Sequence, residues 1–217
     1  MNTHSIDPCD AEVRTGGRVI SGPIARFVDL LENIVYMGRL EEVWRRLIAR
    51  ATLLPGDNVV DAGCGTGRVA LLAAEKVTDQ GRAIGIDASA EMITLARKRA
   101  EGAGSDVEFR RGAMEEMPFG DETFDAVLSC QALHHLPRTA KLEALGEMRR
   151  ILKPGGRLVL CDHGKPYRWY LRVLFYPVSG NFIDYQAENL RGEVPGMISE
   201  VFGNVEEVDR FFGWMRT

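Results

Sequence analysis

One ten-residue stretch constrains this chain more than any other: VVDAGCGTGR, Val59 to Arg68. A short apolar run enters it, three glycines alternate with other residues at Gly63, Gly65 and Gly67, and a helical pattern starts at once. Glycine tolerates positive φ and lets a backbone approach a ligand closely. Amides at a following helix N-terminus favour a polar or anionic group. A buried strand, a glycine turn and a helix in immediate succession belong to a parallel α/β sheet, whose ligands bind at the carboxyl edge of the strands.

The rest of the chain repeats that unit. Strands are expected at Asn58–Asp61, Arg82–Asp87, Val107–Arg111, Phe124–Ser129 and Arg157–Cys161. Helices are expected at Arg68–Lys76, Ala90–Glu101 and Ala140–Leu152. Strands alternating with helices of this length make βαβ units covered on both faces. Residues 1–22 read as a polar tail or a loosely docked arm. Helical spacing follows at 23–37, where Phe27, Leu30, Leu31, Ile34 and Val35 share a face, and again at about 40–52. A helix near Ala187–Arg191 or Pro195–Val201 and a closing hairpin of Val205–Asp209 with Arg210–Arg216 complete the pattern.

The glycine spacing weighs against a dinucleotide site. The fingerprint GxGxxG wants a third glycine where this chain has Arg68. Asp87, twenty residues after Gly67 at the end of the second strand, suits a vicinal diol such as a ribose. Loop, Asp61 in its strand and Asp87 together point to a nucleoside ligand. The net charge of −4 argues against a nucleic-acid partner, which calls for a basic field. Cys9, Cys64, Cys130 and Cys161 form no metal-ligand spacing and read as reduced thiols of a cytoplasmic protein. No metal is expected, and no stretch approaches the roughly 20 apolar residues of a membrane span.

Four segments now carry a resemblance: VVDAGCGTG, GIDASAEMITLARKRA, FRRGAMEEMPFGDETFDAVLSCQALHHL and EMRRILKPGGRLVLCD. In this order they resemble class I S-adenosylmethionine-dependent methyltransferases, and among them the ubiquinone and menaquinone C-methyltransferase group. The resemblance covers about residues 55–162. It implies a Rossmann-like, mostly parallel seven-stranded sheet of order 3-2-1-4-5-7-6, with helices on both faces. It implies S-adenosylmethionine as cofactor, its methionine part at Asp61, Gly63, Gly65 and Gly67, its ribose on Asp87, and its adenine bordered by Ala88 and Met92. An acid that the family often has after the strand-three glycine is replaced by Ala113, leaving Met114 and, as a substitute, Glu115. Ser129 and Gln131 stand where the family lines the reacting methyl.

Methyl transfer from a sulfonium is an in-line displacement, and a base is needed only where the nucleophile must lose a proton. His134 and His163 follow the fourth and fifth strands and are the candidate bases, with a purely structural role as the other reading. Residues 1–52 form an expected arm with cap helices, and 53–217 the catalytic domain with a lid or acceptor segment at 163–200. That segment interleaves Tyr167, Trp169, Tyr170, Phe175 and Tyr176 with Lys165, Arg168 and Arg172, while Tyr36, Met37 and Trp44 stand in the N-terminal part. The expected acceptor is a small, largely apolar molecule such as a quinone precursor, a lipid or an aromatic metabolite. Peripheral membrane contact, a phospholipid N-methyltransferase and a non-catalytic cofactor-binding protein remain open at this point. The Asn/Asp-Pro-Pro-aromatic run of nucleic-acid amino-methyltransferases is replaced by SCQA, Ser129 to Ala132.

Overall fold

The computed structural model describes residues 13–166, 183–211 and 215–217. Five parallel strands form its centre: β1 (Asn58–Ala62), β2 (Arg82–Asp87), β3 (Glu108–Arg111), β4 (Phe124–Cys130) and β5 (Leu152–His163), in the order 3-2-1-4-5. Helices α1 (Val28–Val35) and α2 (Leu40–Ala51) precede the sheet. Helices α3 (Arg68–Val77), α4 (Ala90–Ala103) and α5 (Arg138–Ile151) cross over between its strands, and α6 (Ile183–Arg191) and α7 (Val194–Phe202) follow. At the β5 edge, β7 (Met215–Arg216) pairs antiparallel with β5 and with β6 (Arg210–Phe211).

Alternation along the strands builds a two-sided core. Val60, Ala62, Ile84, Ile86 and Val127 point to the side covered by α5, where Leu145, Met148 and Ile151 meet them. Their neighbours Val59, Ala83, Ala126 and Leu128 point to the other side, against Val43 and Leu47 of α2 and Ala73 of α3. A sheet buried on both faces needs near-continuous apolar strands, which explains why β1 reads as a run rather than an alternation of apolar and polar residues. Helix α4 begins where Ser89 caps it, its Oγ accepting from the Met92 amide at 3.2 Å.

Three expectations need adjustment. Residues 23–37 do not form one helix: a 3₁₀ turn, Gly22–Phe27, leads into α1. Both alternatives for a late helix are present, as α6 and α7. The closing hairpin turns later than expected: Arg210–Phe211 pair with Met215–Arg216, and of the expected first strand Val208 and Asp209 join them through backbone bonds to Thr217. The arm is also better attached than its polarity suggested. The amide of Arg18 donates to the His135 carbonyl at 2.9 Å, and Ser89 Oγ donates to the Ile20 carbonyl at 2.6 Å. Most of the aromatic and basic run expected to form a lid, Tyr167 to Tyr176, lies outside the described residues.

Candidate active site

A cavity opens at the carboxyl edge of β1, β2 and β4. Its floor is the glycine loop. Gly63, Gly65 and Gly67 have φ of 74°, 51° and 81°, the left-handed region in which side chains are strained. A methyl on Gly63 would stand 2.3 Å from the Ala132 Cβ, so the Ala132 side chain occupies the space a side chain there would need. A methyl on Gly65 would meet nothing within 4 Å, which leaves that stretch of backbone open.

The acids stand where the sequence pattern put them. Asp87 Oδ2 accepts from the Gly65 amide at 2.9 Å and Oδ1 from the Ser89 amide at 2.8 Å. Burial raises its pKa against the pull of those two amides. Asp61 is 2% exposed; its Oδ2 accepts from the Ala70 amide at 3.1 Å, and its Oδ1 is buried with no partner. Burial, with Asp87 adding repulsion, lifts its pKa to about 7. A buried carboxylate oxygen without a donor is costly, and a cationic ligand removes that cost.

A second orphan oxygen lies at the same cavity. Glu115 lines it and holds the arm through Oε1, which accepts from Thr15 Oγ1 at 2.7 Å and from the Gly16 amide at 2.9 Å. Glu115 Oε2 is buried without a partner. Two buried, unpartnered carboxylate oxygens on one cavity, beside the Asp87 carboxylate, fit a ligand rich in N–H and O–H donors. The residues present therefore suit S-adenosylmethionine.

The expected site residues do not all reach this cavity. Asp61, Gly63, Gly65, Asp87, Ala88, Met92, Met114 and Gln131 line it. Gly67 is set behind, its α-carbon facing the Phe109 ring. Ala113 is 5% exposed and Ser129 2%, and neither lines the cavity. Ser129 Oγ donates to the Ala62 carbonyl at 2.8 Å, fastening β4 to β1. Gln131 lines the cavity with φ of 56°, a left-handed backbone held by its amide's 2.7 Å bond to the Cys161 carbonyl.

His135 lines the cavity, whereas His134 and His163 do not and connect to Gln131 through Tyr36. His134 Nδ1 lies 2.7 Å from Asp162 Oδ1, and the His134 amide donates to Asp162 Oδ2 at 3.0 Å. His134 and His163 stack at 4.2 Å between ring centroids. His163 Nε2 lies 2.9 Å from Tyr36 Oη, which in turn accepts from Gln131 Nε2 at 2.6 Å. His134, Asp162 and His163 bring one potential metal-ligating atom each within 4.8 Å of one another. Asp162 already accepts the His134 and His163 amides, so hydrogen bonding alone accounts for the arrangement. Burial holds both imidazoles at a pKa of about 3, hence neutral.

The cover of the cavity contains a group the sequence reading missed. Helix α1 turns Asp29 and Glu32 inward. Asp29 accepts from Thr66 Oγ1 at 2.7 Å and from Arg99 Nη2 at 2.5 Å, clamping the helix to the glycine loop. Glu32 lines the cavity with Trp44, Cys130 and Gln131, and burial followed by repulsion from Asp29 lifts its pKa to about 7. The spacing of Asp29, Glu32 and Tyr36 on one helical face was the available signal.

A family model described as "Methyltransferase domain" matches residues 59–156. The demethylmenaquinone methyltransferase of Symbiobacterium thermophilum is 32% identical over 164 residues, covering 73% of this chain and 63% of that protein. This chain thus matches a little under two thirds of that relative's length. The protein of the same name from Lactiplantibacillus plantarum is 32% identical over 173 residues, 75% of this chain and 72% of the relative. Among solved structures, a proposed methyltransferase from Bacillus halodurans superposes with a TM-score of 0.64 at 30% identity, covering 76% of this chain and 70% of that one.

Proposed function

We propose that this chain, which belongs to the S-adenosylmethionine-dependent methyltransferases, transfers a methyl group to a small, largely apolar acceptor of the quinone-precursor class. The observation that carries the reading is the unpartnered Asp61 oxygen above a floor of left-handed glycines, beside Asp87 and facing the cover that holds Glu32. The names of the relatives supply the acceptor class: both are demethylmenaquinone methyltransferases. In this reading residues 1–52 are the cap, 53–217 the catalytic domain, and the short β6 and β7 the ends of a sixth and seventh strand. Peripheral contact with a membrane, where such acceptors dissolve, belongs to the same reading.

S-adenosylmethionine, when bound, supplies a methyl group on an electrophilic sulfonium. The chain's own residues orient and desolvate. Asp61 takes the ammonium, Asp87 the ribose and Glu115 the adenine amine. Gln131, held by Tyr36, borders the place where acceptor and methyl meet. A quinol becomes a carbon nucleophile by losing a hydroxyl proton, and Glu32 is placed and tuned to take it. His134 and His163 are engaged with Asp162 and Tyr36 and serve to hold that edge of the site.

The test is turnover of a short-chain naphthoquinol, kept reduced, with methyl-labelled S-adenosylmethionine. Labelled naphthoquinol and S-adenosylhomocysteine should appear in equal amounts. Glu32→Gln should lower kcat by about 10²-fold, in the range of a lost general base, and flatten the acid limb of its pH profile near 7. Cofactor binding with no turnover on quinols would overturn the acceptor class. Methylation of phosphatidylethanolamine vesicles instead would move the acceptor to a lipid amine.

A further inference from the structure

A helix on a globular surface ordinarily turns its apolar stripe inward and its charges to water. Helix α1 does the opposite. Its inner stripe is Asp29, Glu32 and, one turn on, Tyr36, which meet the glycine loop, the cavity and His163. Its outer stripe is Phe27, Leu30, Leu31, Ile34 and Val35, exposed by between 49% and 65%, with Met37 beyond it at 70%. None of the residues of α1 is buried. Four large apolar side chains of one short helix, with Phe27 just before it and Met37 just after it, face away from the protein and form a patch of the kind that marks an interaction surface.

The charge around the patch identifies what meets it. Residues 1–52 as a whole balance seven arginines with seven acids, but between residues 13 and 40 Arg14, Arg18, Arg26 and Arg39 stand against Asp29 and Glu32 alone. Both of those acids point into the cavity. Arg14, Arg18 and Arg39, which bracket α1 along the chain, are exposed. An apolar helix face within a locally basic segment complements an anionic bilayer, with the helix lying in the interface plane and arginines at the headgroups. A second copy of the chain would bring two basic segments together and is disfavoured by that repulsion.

We infer that the outward face of α1 is a membrane-docking surface for anionic lipid, and that the cavity it covers opens toward the bilayer. The choice of partner agrees with the apolar acceptor proposed above and adds to it a route: an acceptor dissolved in lipid meets the protein at the helix whose inner side carries Glu32. The helix touches lipid on one side and the reaction cavity on the other.

The experiment is co-sedimentation of the full chain with sucrose-loaded vesicles of phosphatidylcholine alone or with about a third phosphatidylglycerol, both at low and at 0.5 M salt. The chain should bind the anionic vesicles, bind phosphatidylcholine at least severalfold less, and lose much of its binding in high salt. Leu30→Glu with Ile34→Glu should reduce binding at least tenfold. Leu54→Glu, an exposed apolar side chain before β1 at the opposite edge of the sheet, should leave it unchanged. Thermal melts and S-adenosylmethionine calorimetry on each variant check the fold, and Leu30→Ser with Ile34→Ser gives a gentler pair should the acidic one fail to fold. Three outcomes overturn the inference: a chain that stays in the supernatant with anionic vesicles, equal binding by both α1 pairs, or sedimentation equilibrium showing a dimer that the α1 substitutions split. Turnover of a water-soluble quinol by a chain that ignores vesicles would sink the docking surface and leave the proposed function standing. Vesicle binding without turnover on any quinol would do the reverse.

Discussion

The floor and the cover of the cavity are built on different principles. The floor is backbone. Gly63 and Cys64 donate their amides to the Ile86 carbonyl at 2.9 and 3.0 Å, Gly65 donates to Asp87, and Gly63 leaves no room for a methyl. The cover is side chains reaching across long stretches of sequence: Thr15 to Glu115, Asp29 to Thr66 and Arg99, Tyr36 to Gln131 and His163. A floor made of strand ends and glycines has one shape, set by the sheet. A cover held by single side-chain contacts can change without disturbing that floor, and in the proposed function the floor takes the cofactor and the cover the acceptor.

If the floor is the cofactor site, breaking it should have the largest effect. Gly63→Ala places a Cβ against Ala132 at a left-handed backbone, and should weaken S-adenosylmethionine by about 3 kcal/mol, roughly 100-fold, by calorimetry. Affinity within threefold of the parent would put the cofactor elsewhere. Asp87→Ala should cost about 1–3 kcal/mol of the same affinity through lost charge-assisted hydrogen bonds. A parent protein preferring NAD would count against the assignment as heavily as an unaffected variant.

The pH dependence sharpens the comparison from the floor's side. The folded pKa of Asp61, about 7, stands above its unfolded value. The stability contributed by the protonated carboxyl is therefore complete below the unfolded pKa and is lost as the pH rises through 7. The ligand-free protein should melt higher at pH 5.5 than at pH 8 as far as Asp61 decides, and Asp61→Asn should shrink that gap by a few degrees. Cofactor binding wants the ionised form, so affinity should rise between pH 6 and 8 by up to about tenfold per unit, and flatten in Asp61→Asn. A falling affinity over that range would remove Asp61 from the ammonium site. The smallest effect belongs to the cover. Thr15→Ala deletes one hydrogen bond to Glu115 and should cost about 0.5–1.5 kcal/mol in cofactor affinity, with acceptor KM nearly unchanged.

The same division explains what could be read from the sequence. The floor was legible because its signals are local: apolar runs give the strands, GxGxG gives the turn, and Asp87 ends its strand a fixed distance on. Next to Ala113, the sequence did not show that Glu115 is the acid on which the arm docks, because its partners Thr15 and Gly16 lie about a hundred residues earlier. Periodicity found α1 correctly as a helix, yet period alone carries no information about which face meets the protein. Phe27, Leu30 and Ile34 read as an apolar stripe whether they pack inward or outward; the inward role of Asp29 and Glu32 depends on Arg99 and Thr66, far along the chain. Ser129 misled for a related reason: a hydroxyl at the carboxyl end of β4 can point at a ligand or at the next strand, and here it points at Ala62. His134 and His163 lie at the expected edge but turn toward Asp162 and each other, a direction set by side-chain geometry that residue spacing does not specify.

The docked arm has a kinetic consequence. Between Thr15 and Gly22 it is pinned at four points on three elements: the loop after β3 through Glu115, the turn after β4 through His135, and α4 through both its cap Ser89 and Glu91. In the proposed function the nucleoside lies beneath Arg18, Val19 and Ile20, so its release is coupled to opening of the arm. Residence time then depends on local unfolding of the eight residues from Thr15 to Gly22 as well as on the contacts to the adenosine. Spent cofactor and fresh cofactor exchange no faster than the arm opens, and where that step is slower than methyl transfer it sets the tempo of turnover.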